Sequence, residues 1–213
     1  MFKLPELPYP YDSLAPTVSD VTMRTHHDKH HAAYVNTTNA LVKEKSVPAS
    51  SMEEVVRHAR AAGEQKLFNQ SGQAWNHAFF WECMTPQRAQ PSGALAQAIE
   101  QAFGGLDALK TAFVAEGVGH FASGWVWLVA RGGKLEVIST HDGDTALVTE
   151  GATPILVCDL WEHAYYLDYK NLRKDFLEAW FDTVANWRFA EQQFAAATGG
   201  GEPYRYPAPT AEA

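Results

Sequence analysis

The stretch Trp125-Val126-Trp127-Leu128-Val129-Ala130-Arg131, then Gly132-Gly133, then Leu135-Glu136-Val137-Ile138-Ser139-Thr140 decides the fold class of this chain. Both runs are rich in β-branched and aromatic residues and have strand length, and a glycine pair between them signals a hairpin turn. A third short apolar run, Pro154-Ile155-Leu156-Val157-Cys158, completes a three-stranded antiparallel sheet. Upstream the pattern is helical. Four prolines in residues 1–18 read as an extended lead-in, Ser19 or Asp20 can cap a helix over residues 21–43, and Pro48 interrupts. Ser50-Ser51-Met52-Glu53-Glu54 reads as a second capped start, its acidic residues placed where the helix dipole favours them. A further helix fits residues 65–83, with Gly72 as its weak point.

The polar stretch Thr85-Pro86-Gln87-Arg88-Ala89-Gln90-Pro91-Ser92-Gly93 has no apolar periodicity and marks a boundary. Short helices over residues 94–103 and 107–116 precede the sheet, and residues 170–194 return to helical spacing. The expected class is therefore α+β: an N-terminal helical hairpin domain (residues 1–88), then a three-stranded antiparallel sheet with helices (residues 89–198). A tail from residue 195, rich in Ala, Gly and Pro, reads as frayed, with residues 199–213 as a flexible tail.

Composition excludes several functions. A net charge of −8 argues against a nucleic-acid partner, which needs a basic face to displace counterions from phosphate. No stretch is long and apolar enough for a bilayer, and Met1-Phe2-Lys3-Leu4-Pro5 lacks the apolar core of a secretion signal, so no membrane partner is expected and the cytoplasm is the expected location. The two cysteines, Cys83 and Cys158, sit in apolar runs and read as buried free thiols.

Three clusters carry chemistry. In His26-His27-Asp28-Lys29-His30-His31, four of the nine histidines fall within six residues, and helical spacing puts His26, His30 and Tyr34 on one stripe. In Gln73-Ala74-Trp75-Asn76-His77-Ala78-Phe79-Phe80-Trp81, the same spacing aligns Gln73, His77 and Trp81. Each taken alone is also the pattern of a charged surface face or of an amphipathic core helix. In Asp159-Leu160-Trp161-Glu162-His163-Ala164-Tyr165-Tyr166, an aspartate follows a buried strand directly, where it needs a partner or a metal, and His163 can reach the same centre. A buried Asp–His hydrogen bond is the plainer reading of that segment. Together the clusters offer one carboxylate and at least three imidazoles, a nitrogen and oxygen set that suits iron, manganese or zinc. Spacing goes no further than a mononuclear site with His and Asp ligands, and a non-haem iron oxygenase or a non-catalytic metal binder would fit it too.

These segments, with Leu4-Pro5-Glu6-Leu7-Pro8-Tyr9 and Phe121-Ala122-Ser123-Gly124-Trp125, resemble in order the motifs of the iron/manganese superoxide dismutases, from about residue 2 to about residue 194. The resemblance implies disproportionation of superoxide, with His26, His77, Asp159 and His163 as metal ligands. It implies that Tyr34, His30 and Gln73 are catalytic residues supporting the centre, and that Trp125, Trp161, Phe80 and Trp81 wall it. It implies a homodimer, Glu162 reaching His163 of a second subunit and Tyr166 reaching its His30. The implied cofactor is one iron ion per subunit, manganese being the alternative: manganese members carry the supporting glutamine in the loop after the second strand, here Ser139-Thr140-His141-Asp142-Gly143-Asp144, whereas iron members carry it where Gln73 stands. Lys29 and Arg173 are the candidate charges that draw an anionic substrate into an acidic protein.

Overall fold

The computed structural model of the chain describes residues 1–208. The first helical stretch is a single rod in three parts: α1 (Asp20–Thr25), a π-helical segment (His26–His31) and α2 (Ala32–Glu44). Ser19 caps it by accepting from the Thr22 N–H at 3.2 Å. The π segment lies on the histidine cluster, and such insertions gather at functional sites because they rotate the following side chains off the α-helical phase. Then come α3 (Met52–Ala62), capped by Ser51, and α4 (Gln65–Glu82), which packs against both α2 and α3. Residues 85–92 form no helix or strand.

The second half begins with α5 (Gly93–Phe103) and α6 (Leu106–Gly119), followed by β1 (Gly124–Arg131), β2 (Lys134–His141) and β3 (Ala152–Asp159). Both pairings are antiparallel and the order is β2-β1-β3, so the strand richest in apolar residues is central. Pro154 lies on an edge strand beside a register irregularity, where its missing N–H breaks no ladder. The turn at Gly132 and Gly133 has positive φ at both residues, as glycine permits.

The helical spacing of residues 170–194 resolves into two helices, α8 (Arg173–Thr183) and α9 (Trp187–Ala197), after a single turn, α7 (Tyr166–Tyr169). The break has a physical cause. The Val184 carbonyl accepts from the Thr85 N–H at 2.8 Å, the Asn186 N–H donates to Cys83 at 2.8 Å, and the Asn186 side chain caps α9. The tail also departs from the expectation. Ala195 to Ala197 belong to α9, and Tyr204 and Tyr206 pack against the body of the protein, because their rings find apolar partners there. Residues 209–213 of the expected tail lie outside the described residues. Among the described residues no helix is long and apolar enough to cross a membrane. Cys83 and Cys158 are free and buried, and burial pushes both thiols well up.

Candidate metal centre

Asp159 ends β3 opposite Trp125 of β1, which turns its carboxylate toward the helical hairpin. Its Oδ1 accepts from the Trp161 N–H at 2.8 Å, so Oδ2 is the oxygen presented to the cluster. Three imidazole nitrogens approach that oxygen: His26 Nε2 at 3.1 Å, His163 Nε2 at 3.2 Å and His77 Nε2 at 3.6 Å. The four donor atoms lie within 4.8 Å of one another, and His26, His77 and Asp159 are buried.

Protonation decides what this cluster is for. His77 Nδ1 donates to the Gln73 carbonyl at 2.7 Å, which leaves Nε2 with a lone pair in the neutral ring. Burial, first of all, drives His77 and His26 well below the usual histidine range, so both are neutral and the approaches to Asp159 are not ion pairs. The Nε2 atoms of His26 and His77 have no hydrogen-bond partner. A buried lone pair aimed at a carboxylate oxygen is repulsive unless a cation stands between them. Donors about 2.0–2.2 Å from one ion would be separated by roughly the distances seen here. The chemistry of the set therefore fits a metal ion.

Aromatic and polar side chains surround the four donors. Trp81 and Phe80 pack on the His26 ring at 4.8 and 5.9 Å, Trp125 stands edge-on to His77 at 4.9 Å, and Trp161 stacks on His163 at 5.5 Å. His30 stacks on His163 at 4.2 Å, and the Tyr34 ring lies 5.2 Å from that of His77. Burial lowers His30, aided by His163, while burial raises Tyr34 against the opposing effect of the Gln73 side chain, and the Asp159 charge adds to the rise. Gln73 is only 2% exposed. Its Oε1 accepts from Trp125 Nε1 at 2.9 Å and its Nε2 is left without a partner.

Other residues contribute that the sequence did not single out. His31 Nε2 donates to the Ala74 carbonyl at 2.9 Å and Nδ1 accepts from Trp81 Nε1 at 3.0 Å. Its ring stacks on His77 at 5.4 Å, and burial holds it neutral, at about 3. It therefore ties the π segment to α4 and fixes Trp81. The Asp142 carbonyl accepts from both Trp125 Nε1 and Trp161 Nε1 at 3.1 Å, fixing two walls from one backbone atom. Gly72, the apparent weak point of α4, is where the Gly143 carbonyl closes on the helix, and a side chain would occupy that space. The Arg173 guanidinium donates to the carbonyls of His120 at 2.9 Å, Ala122 at 2.9 Å and Leu160 at 3.1 Å, so it braces loops. Lys29 stays exposed. Glu162 and Tyr166 are exposed, and neither reaches the cluster within its own chain.

A helical hairpin and an α+β half that share one His3Asp centre define a class of mononuclear metalloproteins. The sequence profile for the alpha-hairpin domain of iron/manganese superoxide dismutases matches residues 1–85, and the profile for their C-terminal domain matches residues 91–193. The chain is 47% identical over 192 residues to an iron superoxide dismutase of Entamoeba histolytica, covering 90% of this chain and 98% of that one. It is 46% identical over 198 residues to an iron superoxide dismutase of Synechocystis (92% and 99% covered). It is 45% identical over 198 residues to a manganese superoxide dismutase of Rhizobium meliloti (92% and 98% covered). The chain belongs to the iron/manganese superoxide dismutase family.

Proposed function

We propose that this protein disproportionates superoxide at a metal held by His26, His77, Asp159 and His163, and that the metal is iron. The observation that carries the reading is the pair of buried, unpartnered Nε2 atoms of His26 and His77 aimed at the Asp159 carboxylate. When bound, a one-electron redox metal would supply the electron exchange that converts two superoxide ions and two protons into one oxygen and one hydrogen peroxide. The chain's own residues do the rest. One carboxylate among imidazole nitrogens favours a cation. Gln73, held at Oε1 by Trp125, is left to donate from Nε2 to a water or anion entering the cluster. Tyr34, its ionisation disfavoured by burial, keeps a proton at Oη, and His30, neutral and half-buried, can accept one and pass it on. The aromatic walls keep bulk water from the cluster.

Identity does not choose between iron and manganese, since relatives named for either match almost equally. Gln73 supports iron. The amide comes from α4, four residues before His77, and the loop after β2 supplies no substitute: the His141 side chain is 62% exposed and faces Asp142 at 3.5 Å. Reconstituting the apo-protein separately with iron and with manganese tests this. Several-fold higher activity per bound ion is expected with iron, and higher activity with manganese would reject the assignment.

A homodimer completes this reading. Glu162 is exposed next to His163, whose Nδ1 has no partner among the described residues. Nearby large apolar groups are bare, Phe121 at 90% exposure and Tyr166 at 45%. A second subunit's Glu162 would fix the His163 ring through Nδ1, and Tyr166 would meet the other subunit's His30. Glu162→Ala should weaken the dimer at least about tenfold, from the 1.5–3 kcal/mol typical of a hydrogen bond to a charged group, and should lower metal retention. Sedimentation of the unaltered protein as a monomer at micromolar concentration would exclude the interface. The buried free thiols fit a reducing compartment, in keeping with the cytoplasm.

A further inference from the structure

Residues 199–208 lie beyond the family match, which stops at residue 193, yet they are laid across the body of the protein. Tyr204 and Tyr206 point inward and Arg205 outward, the two-residue alternation of an extended strap. The Tyr204 N–H donates to Gln193 Oε1 at 2.9 Å, and its ring packs against Phe79, Trp75 and Phe189 at 5.4, 5.9 and 6.1 Å. Tyr206 is 3% exposed. Its N–H donates to Glu53 Oε1 at 2.7 Å, its hydroxyl donates to the Lys3 carbonyl at 2.7 Å, and its ring stands edge-on to Phe2 at 6.0 Å.

Glu53 is the keystone of this contact. It belongs to the first turn of α3 but is 3% exposed, and the oxygen that accepts from Tyr206 also accepts from Trp75 Nε1 at 2.9 Å. One buried carboxylate oxygen thus joins α3, α4 and the strap, and Trp75 stands between Gln73 and His77 on α4. Ordering a glycine-rich tail costs chain entropy, which the burial of two tyrosines offsets. Pro203 and Pro207 bracket the Tyr-Arg-Tyr stretch and restrict it before it docks. A cavity of about 160 Å³ bordered by Glu53, Trp75, Gln193 and Tyr204 remains beside it, so the groove under the strap is not completely filled.

We propose that the groove formed by α3, α4, α9 and residues 2–3 is a peptide-accepting surface, that its occupant is this chain's own Tyr204-Arg205-Tyr206 stretch, and that docking secures the part of α4 bearing Gln73 and His77. The securing of the centre rests on the function proposed above, whereas the docking does not. The test uses the full chain beside a Tyr204→Ala/Tyr206→Ala variant. For the apo-proteins, the variant's melting temperature should fall by roughly 5–10 °C, as for loss of large buried rings in a chain of this size. Trypsin should cut after Arg205 at least tenfold faster in the variant, read by the mass of the released end. A synthetic peptide of residues 199–213 should raise the variant's melting temperature back toward that of the unaltered chain, and the same peptide with both tyrosines replaced by alanine should not. For the metal-loaded proteins, a chelator should strip the variant several-fold faster. Tyr206→Phe, which keeps the ring and the N–H, should retain most of the protection. Equal melting and equal cleavage would overturn the docking. A lowered melting temperature without peptide rescue would overturn the peptide-accepting surface. Equal metal loss beside lowered melting would overturn the link to α4.

Discussion

His163→Ala is expected to abolish tight metal binding and superoxide consumption while leaving the helices and sheet in place. His163 stands in a short turn after β3, outside the helices and strands, with its side chain 10% exposed and stacked on His30 and Trp161. The fold should lose about 1–3 kcal/mol, the ordinary range for truncating one packed side chain, which leaves the helices and sheet formed. The loss at the centre is of another order. Only His26, His77 and Asp159 remain as donors. The fall in metal affinity should exceed the roughly 10–100-fold seen when only a supporting partner of a ligand is removed. Elemental analysis with far-ultraviolet circular dichroism checks both halves. Full metal content in the variant would mean that His163 is not a ligand.

Gly72→Ala is expected to destabilise the protein and disturb the centre together, although alanine is the better helix former. Propensity alone would favour the variant by about 1 kcal/mol. The added Cβ, however, meets the Gly143 carbonyl, a backbone atom that cannot rotate aside. The loop must shift, and it carries the Asp142 carbonyl that fixes Trp125 and Trp161 and the Asp144 carbonyl that accepts from Asn76 at 2.9 Å. Overpacking of this kind costs about 1–3 kcal/mol. With the gain in propensity set against it, a net fall of several degrees in melting temperature is expected. Trp125 also holds Oε1 of Gln73, so the visible absorption of the metal-loaded protein should change as well. Gly119→Ala is the control, since a Cβ there meets nothing within 4 Å. A Gly72→Ala protein that melts like its parent would show that the loop yields without cost.

Spacing made a mononuclear site with His and Asp donors legible, and the order of the motifs, through their family resemblance, pointed to the four residues that the fold gathers. The four-residue spacing from Gln73 to His77 holds within α4, and an aspartate at the end of an apolar strand announces itself. The sheet was legible because its signal is local, its turn being written in two adjacent glycines. What escaped depends on partners far away in the chain. Nothing local says that the rod becomes π-helical at His26, or that His31 is the link to Ala74 and Trp81. Glu53 sits where a dipole-stabilising surface residue belongs, and its two donors, Trp75 Nε1 and the Tyr206 N–H, come from α4 and from beyond residue 200. Arg173 is legible for its charge alone, and its three bonds to the carbonyls of His120, Ala122 and Leu160 depend on loops distant in the chain. The break between α8 and α9 had one usable signal, Asn186 as a helix cap, which an unbroken apolar periodicity obscured.

The central claim is that one redox ion at His26, His77, Asp159 and His163 turns over superoxide. Titrating the apo-protein with iron while following superoxide consumption tests it most directly. Activity should rise linearly with bound iron, reach its plateau at one ion per chain, and be absent from the apo-protein. A fully loaded protein that consumes superoxide no faster than its apo form would contradict the account.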